Sequence, residues 1–126
     1  MVVDDDPSIL QLLELVMKRG GYAVMTVRDA DRALNLLENT TPDLFLLDVM
    51  MAGVNGVDLC KRIRARHQTV YTPILMSSAD GSVMNIERCL AAGANEFLPK
   101  PINPTDLLKK VKIYVDGEID MTAKAC

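Results

Sequence analysis

Four places in the sequence set a chemically useful group directly after a short apolar run: Asp4 and Asp5 follow Val2-Val3, Asp48 follows Leu44-Phe45-Leu46-Leu47, Ser77 and Ser78 follow Ile74-Leu75-Met76, and Lys100 follows Phe97-Leu98-Pro99. If those runs are neighbouring strands of one sheet, three carboxylates gather at one end of it. They would repel strongly in a low-dielectric setting unless a cation neutralised them, so a hard divalent ion is implied. With no histidine or cysteine beside them, an oxygen-rich site suits magnesium and not zinc. Lys100 adds a point positive charge for a phosphoryl oxygen, and the Ser78 hydroxyl can donate to another. A carboxylate nucleophile, a metal and a lysine are sufficient for phosphoryl transfer, which depends mostly on positioning and on stabilising negative charge.

The elements that must position these groups follow from two alternating periodicities, the signature of a parallel sheet with crossover helices. Five strand-helix units fit the length. Asp6 is placed to cap a first helix with Pro7 in its first turn; Ile9, Leu12, Leu13 and Val16 form its apolar stripe, and Gly20-Gly21 ends it. A strand is expected over Ala23 to Val27. Asp29 caps a second helix with Ala30, Ala33, Leu34 and Leu37 inward, and Leu44 to Leu47 reads as a central strand buried on both faces. A third helix after Gly56 carries Val57, Cys60 and Ile63. Pro73 to Met76 is the fourth strand, and Val83, Ile86, Cys89 and Leu90 face inward from a fourth helix that stops near Gly93. Glu96 to Leu98 makes a fifth strand, and Asn103-Pro104 starts a last helix with Leu107, Leu108, Val111 and Val115 buried. In such a fold the ligand site lies beyond the carboxyl ends of the strands, which is where the carboxylates, hydroxyls and lysine collect.

Composition narrows the function further. The chain has 126 residues, 49% of them apolar, enough for one core and too few for two ordinary domains. We assign residues 1–120 to one domain and 121–126 to a tail or the start of a linker. A net charge of -3 with dispersed basic residues does not match a protein held on phosphate backbones, so no direct nucleic-acid contact is expected. No apolar run approaches the roughly 18 residues that span a bilayer, and the N-terminus lacks a basic-then-apolar leader, so a soluble cytoplasmic protein is expected. The three cysteines, Cys60, Cys89 and Cys126, are odd in number and lack metal spacing, which fits a reducing compartment. His67, the single histidine, lies among Arg64, Arg66 and Gln68 at a polar helix end and reads as a solvated surface residue.

The segments VVDDDPSIL, LFLLDVMMAGVNG, ILMSSA and FLPKP resemble, in order and spacing, the motifs of the response-regulator receiver domains of two-component signalling, and the resemblance covers nearly the whole chain. It implies a flavodoxin-like, doubly wound five-stranded parallel sheet of order 2-1-3-4-5 with five helices. It also implies that Asp48 is the phosphoacceptor, Asp5 a direct Mg2+ ligand, Asp4 a ligand through water, and Met50 a ligand through its backbone carbonyl. Ser78 would be the hydroxyl that moves toward the phosphoryl group, Lys100 its ion-pair partner, and Phe97 the aromatic side chain that reports the switch. The Lys100-Pro101 bond is expected to be cis. The implied partners are a histidine kinase or phosphotransfer protein as donor, or a small phosphodonor, and an output domain or protein that the sequence does not identify. Dimerisation through the fourth helix, fifth strand and fifth helix is left open. The implied role is that of a signalling domain that catalyses its own modification, not a conventional enzyme.

Some positions depart from the family pattern. Ala52 stands where proline is usual, and Phe97 lacks the hydroxyl of the frequent tyrosine. The first strand looks clipped, with Met1-Val2-Val3 alone before the acidic pair. The resemblance also implies that Met50 and Asp80 occupy positions that, in the family, influence how water reaches the phosphoryl group. An apolar Met50 is expected to slow hydrolysis, so that Met50→Asn shortens the phosphoryl lifetime. Two rival readings make different use of the same residues. In a phosphohydrolase of the haloacid dehalogenase type, Asp4, Asp6 and Ser8 form an Asp-x-Asp-x-Ser string with Asp4 as nucleophile. In a pseudo-receiver the fold serves as a scaffold without phosphorylation.

Overall fold

A computed structural model describes residues 1–51, 53 and 55–117. The order of elements is β1 (Val2–Val3), α1 (Pro7–Arg19), β2 (Thr26–Val27), α2 (Ala30–Leu36), β3 (Phe45–Asp48), α3 (Gly56–Arg64), a short 3-10 turn (His67–Thr69), β4 (Ile74–Ser78), α4 (Val83–Ala91), β5 (Glu96–Pro99) and α5 (Pro104–Asp116). Among these residues the strands form one five-stranded sheet in the order β2-β1-β3-β4-β5, with every pairing parallel. The expected order and alternation are therefore found, and the fold is flavodoxin-like.

Successive strand residues point to opposite faces, and each face is covered by its own helices. Val3, Phe45, Leu47, Ile74 and Met76 join Ala30, Ala33, Val57, Ile63 and Cys89 in a core beneath α2, α3 and α4. Val2, Leu46, Leu75 and Leu98 join Leu10, Leu13, Met17, Leu107 and Val111 in a second core beneath α1 and α5. This two-sided burial explains the unbroken apolar runs of β3 and β4. It also sends Asp48 and Ser77, two residues beyond Leu46 and Leu75, toward the face of α1 and α5.

The helix starts are built as expected. Asp6, Asp29 and Asn103 are N-caps whose side chains accept from backbone N–H groups of the first turn, with Pro7 and Pro104 in the opening turns. Strand limits differ. The second strand was expected over 23–27 but pairs at Thr26 and Val27 alone, because its partner β1 offers two residues, and the third, fourth and fifth strands reach one or two residues farther toward the site.

Two helices match the expected inward faces in part: Leu13 and Cys89 are buried, and Ile9, Val16 and Ile86 are half-buried. In α1 the buried residues are Leu10, Leu13 and Met17, while Leu12 is exposed. The apolar stripe there is wider than the contact with the sheet, and Ile9, Leu12 and Val16 flank a groove closed on its other side by Pro101 and Ile102. In α4 Val83 and Leu90 are exposed, whereas Asn85 is buried with Cys89. Asn85 is the reason: its Nδ2 donates to the Asp80 carbonyl at 2.7 Å, drawing that face of the helix onto the preceding loop. In the other helices the named residues are buried or partly buried, with Leu34, Leu108 and Val115 only partly so. Ala52 and the tail assigned to 121–126, with Cys126, lie outside the described residues; Cys60 and Cys89 are buried free thiols, and His67 is exposed.

Candidate functional site

The carboxyl ends of β1, β3 and β5 bring Asp4, Asp5, Asp48 and Lys100 together. Asp4 and Asp48 are almost wholly buried, whereas Asp5 is exposed at the rim. One carboxylate oxygen from each of Asp4, Asp5 and Asp48 can be chosen so that all three lie within 4.8 Å of one another. Lys100 Nζ reaches across from the end of β5 to within 2.9 Å of Asp4 Oδ2 and 3.2 Å of Asp48 Oδ1.

The local sequence holds each group in place. The Asp6 N–H donates to Asp4 Oδ1 at 2.9 Å, so the capping turn that starts α1 also orients Asp4. The Met50 N–H donates to Asp48 Oδ1 at 3.3 Å. Gly56 opens α3 directly against this turn; a Cβ there would run into the Asp48 carbonyl oxygen. The Lys100-Pro101 bond is cis, as expected, and the Lys100 N–H donates to the Ser78 carbonyl at 2.9 Å.

Electrostatics follow from this crowding. Burial and the neighbouring Asp4 charge raise the Asp48 carboxyl above its ordinary value, against the opposing pull of Lys100. For Lys100, burial alone would lower the pKa. The hydrogen bond to Asp4 and the charges of Asp48 and Asp4 outweigh burial, so the ammonium is held above its ordinary value. The site is thus a set of hard oxygen ligands with one resident cation, and its donors fit a hard divalent ion.

Ser78 is buried, and its Oγ accepts from the Asp80 N–H at 3.1 Å, tied to its own loop. That loop is closed by further bonds: Asp80 Oδ1 accepts from the Ser82 N–H, and Asn85 Nδ2 holds the Asp80 carbonyl. Phe97 is partly buried, pairs in register with Met76, and lines a groove with Ile86 and Leu90. Met50 is exposed beside Asp48. Sequence reasoning missed Gly56 and Asn85. Gly56 gave no local signal beyond its type, whereas a polar Asn85 four residues before Cys89 was a visible break in the apolar face.

The model of the response regulator receiver domain family matches residues 1–112 of this chain. The chain belongs to that family. As a receiver it is 35% identical over 124 residues to the DNA-binding response regulator MtrA of Mycolicibacterium smegmatis, covering 98% of this chain and 53% of that protein. The receiver thus spans about half the length of the curated relatives it matches. Chemotaxis protein CheY4 of Vibrio cholerae superposes with a TM-score of 0.85 at 34% identity, over 90% of this chain and 94% of that one. The receiver domain of sensor histidine kinase PA1611 of Pseudomonas aeruginosa, solved with a magnesium ion coordinated in its active site cleft, superposes at 0.84 with 27% identity, over 91% and 94% of the two chains. Among the described residues of the present receiver, no helix is long and apolar enough to cross a membrane.

Proposed function

We propose that this receiver accepts a phosphoryl group on Asp48 and uses the change in its strand-end loops to control an output domain or protein. The observation that carries the proposal is the position of Asp48: a buried carboxylate 3.2 Å from Lys100 and in reach of both Asp4 and Asp5. The donor is the phosphohistidine of a histidine kinase or phosphotransfer protein, or a small acyl phosphate. An Asp48 oxygen attacks phosphorus, the bond from phosphorus to the donor nitrogen or oxygen breaks, and the donor leaves with that electron pair.

Asp5, Asp48 and the Met50 carbonyl would hold Mg2+ directly and Asp4 through water; the ion supplies charge neutralisation on the transferring oxygens. Lys100 shifts from the carboxylates to a phosphoryl oxygen. Ser78 leaves the Asp80 N–H to donate to another oxygen, and Phe97 repacks in the groove beside α4. Phosphorylation acts by biasing two existing shapes through contacts that one of them makes. Self-phosphorylation and hydrolysis in a cytoplasmic two-component pathway complete the reading. PA1611's receiver, with its bound magnesium, supports the choice of metal.

Borohydride trapping maps the modified residue. After incubation with acetyl phosphate and Mg2+, reduction converts an aspartyl phosphate to homoserine, expected at position 48. Homoserine at position 4 would instead favour the hydrolase reading, and none at either position the scaffold reading.

A further inference from the structure

Ser77 stands at the centre of the site without a role so far. It is the register partner of Asp48 on one side and of Leu98 on the other. Its side chain leaves the same face as that of Asp48, because Leu75 and Leu46, two residues back on each strand, share the core beneath α1 and α5. Ser77 is 2% exposed, and among the described residues its Oγ is the one buried side-chain nitrogen or oxygen with no hydrogen-bond partner. Buried hydroxyls are normally paired, and leaving one unpaired is unfavourable.

Asp48 acquires the complementary need on loading. Its Oδ1 is ion-paired with Lys100 at 3.2 Å and accepts from the Met50 N–H; once Lys100 turns to a phosphoryl oxygen, the carboxyl oxygen that does not carry the phosphoryl group would hold the metal with one lone pair and keep a second for a hydroxyl donor. We propose that Ser77 is a positioning residue for Asp48, its hydroxyl donating to the carboxyl oxygen that does not carry the phosphoryl group. One new bond then satisfies an orphaned hydroxyl and a buried acceptor together, so it favours the loaded site over the empty one. Ser77 keeps its proton throughout. The inference rests on Asp48 being the phosphoacceptor.

The test is titration with beryllium fluoride, which adds to a carboxylate oxygen as a phosphoryl group does, at saturating Mg2+, on wild type, Ser77→Ala and Ser77→Thr. The melting midpoint of each chain in chelator is measured alongside. Ser77→Ala should bind about fivefold more weakly, the effect of one hydrogen bond, while its unloaded midpoint is unchanged or raised. Ser77→Thr, which keeps the hydroxyl, should restore binding. An alanine variant that binds as wild type does, or whose loss threonine does not restore, overturns the role of Ser77 and leaves the phosphoacceptor reading intact. If the wild type neither binds beryllium fluoride nor takes a phosphoryl group, both fall together.

Discussion

Lys100 Nζ lies 3.2 Å from Asp48 Oδ1, although the two residues sit at the ends of strands separated by β4. The lysine crosses the end of the intervening strand and places its ammonium between two buried carboxylates. It acts there as counter-ion for a charge cluster that the fold would otherwise not tolerate.

Removing that ammonium should destabilise the metal-free chain. Lys100 keeps 19% of its side chain exposed, so Lys100→Met should cost about 1–3 kcal/mol, less than a sealed pair would. Saturating Mg2+ should recover most of the loss, since it supplies the missing positive charge. Urea unfolding in chelator and in Mg2+ measures both numbers; equal stability of the two chains in chelator would contradict the counter-ion role.

Asp48 predicts a pH dependence of stability. Burial and Asp4 raise its carboxyl above the ordinary 3.8 in the folded chain. The folded state therefore binds more protons than the unfolded state in the window that opens at 3.8, and stability falls as pH rises through it. Above that window the penalty is complete; below it, absent. In chelator, Asp48→Asn should be more stable than wild type at neutral pH, with the advantage shrinking as pH falls toward 3.8. An advantage that is flat with pH would count against the assignment.

Mg2+ should stabilise the fold by mass action, by about 2.7 kcal/mol at a hundredfold excess over its dissociation constant. Asp5 is exposed at the rim. Asp5→Asn should thus change stability in chelator by less than about 1 kcal/mol while reducing the gain from Mg2+. Thermal unfolding across a Mg2+ series reads both, and a full gain in the variant would remove Asp5 from the ligand set.

Gly56 carries a steric prediction. Its Cβ would meet the Asp48 carbonyl oxygen and carbon and come to 3.0 Å from Val49 Cα, all backbone atoms that cannot rotate away. Gly56→Ala should cost about 2 kcal/mol or more, as overpacking does, and should impair phosphoryl acceptance through displacement of the Asp48 turn. Wild-type stability and acceptance in this variant would show that the turn is free to move.

The parts of the fold readable in advance were those decided locally. Asp6, Asp29 and Asn103 cap helices with their own side chains, so each start was legible within a few residues of sequence. The length of β2 was not, because it is limited by pairing with Val2 and Val3, a contact distant in sequence. The stripes of α1 and α4 misled in part for a related reason. Leu12, Val83 and Leu90 have the right spacing, but burial depends on where the helix meets the sheet, and Asn85 draws α4 toward the loop after β4. At the site, the grouping of Asp4, Asp5, Asp48 and Lys100 was legible because strand ends are shared in a parallel sheet. The orphaned Ser77 hydroxyl was not, since its state depends on the partners around it in three dimensions.

Intact-mass analysis after incubation with acetyl phosphate and Mg2+, for wild type and Asp48→Asn, tests the central claim most directly. A single added phosphoryl group that requires Mg2+ and is absent in Asp48→Asn is the predicted result. An unmodified wild type with donor in excess, with the chain shown to be folded and a phosphoramidate repeat agreeing, would contradict it.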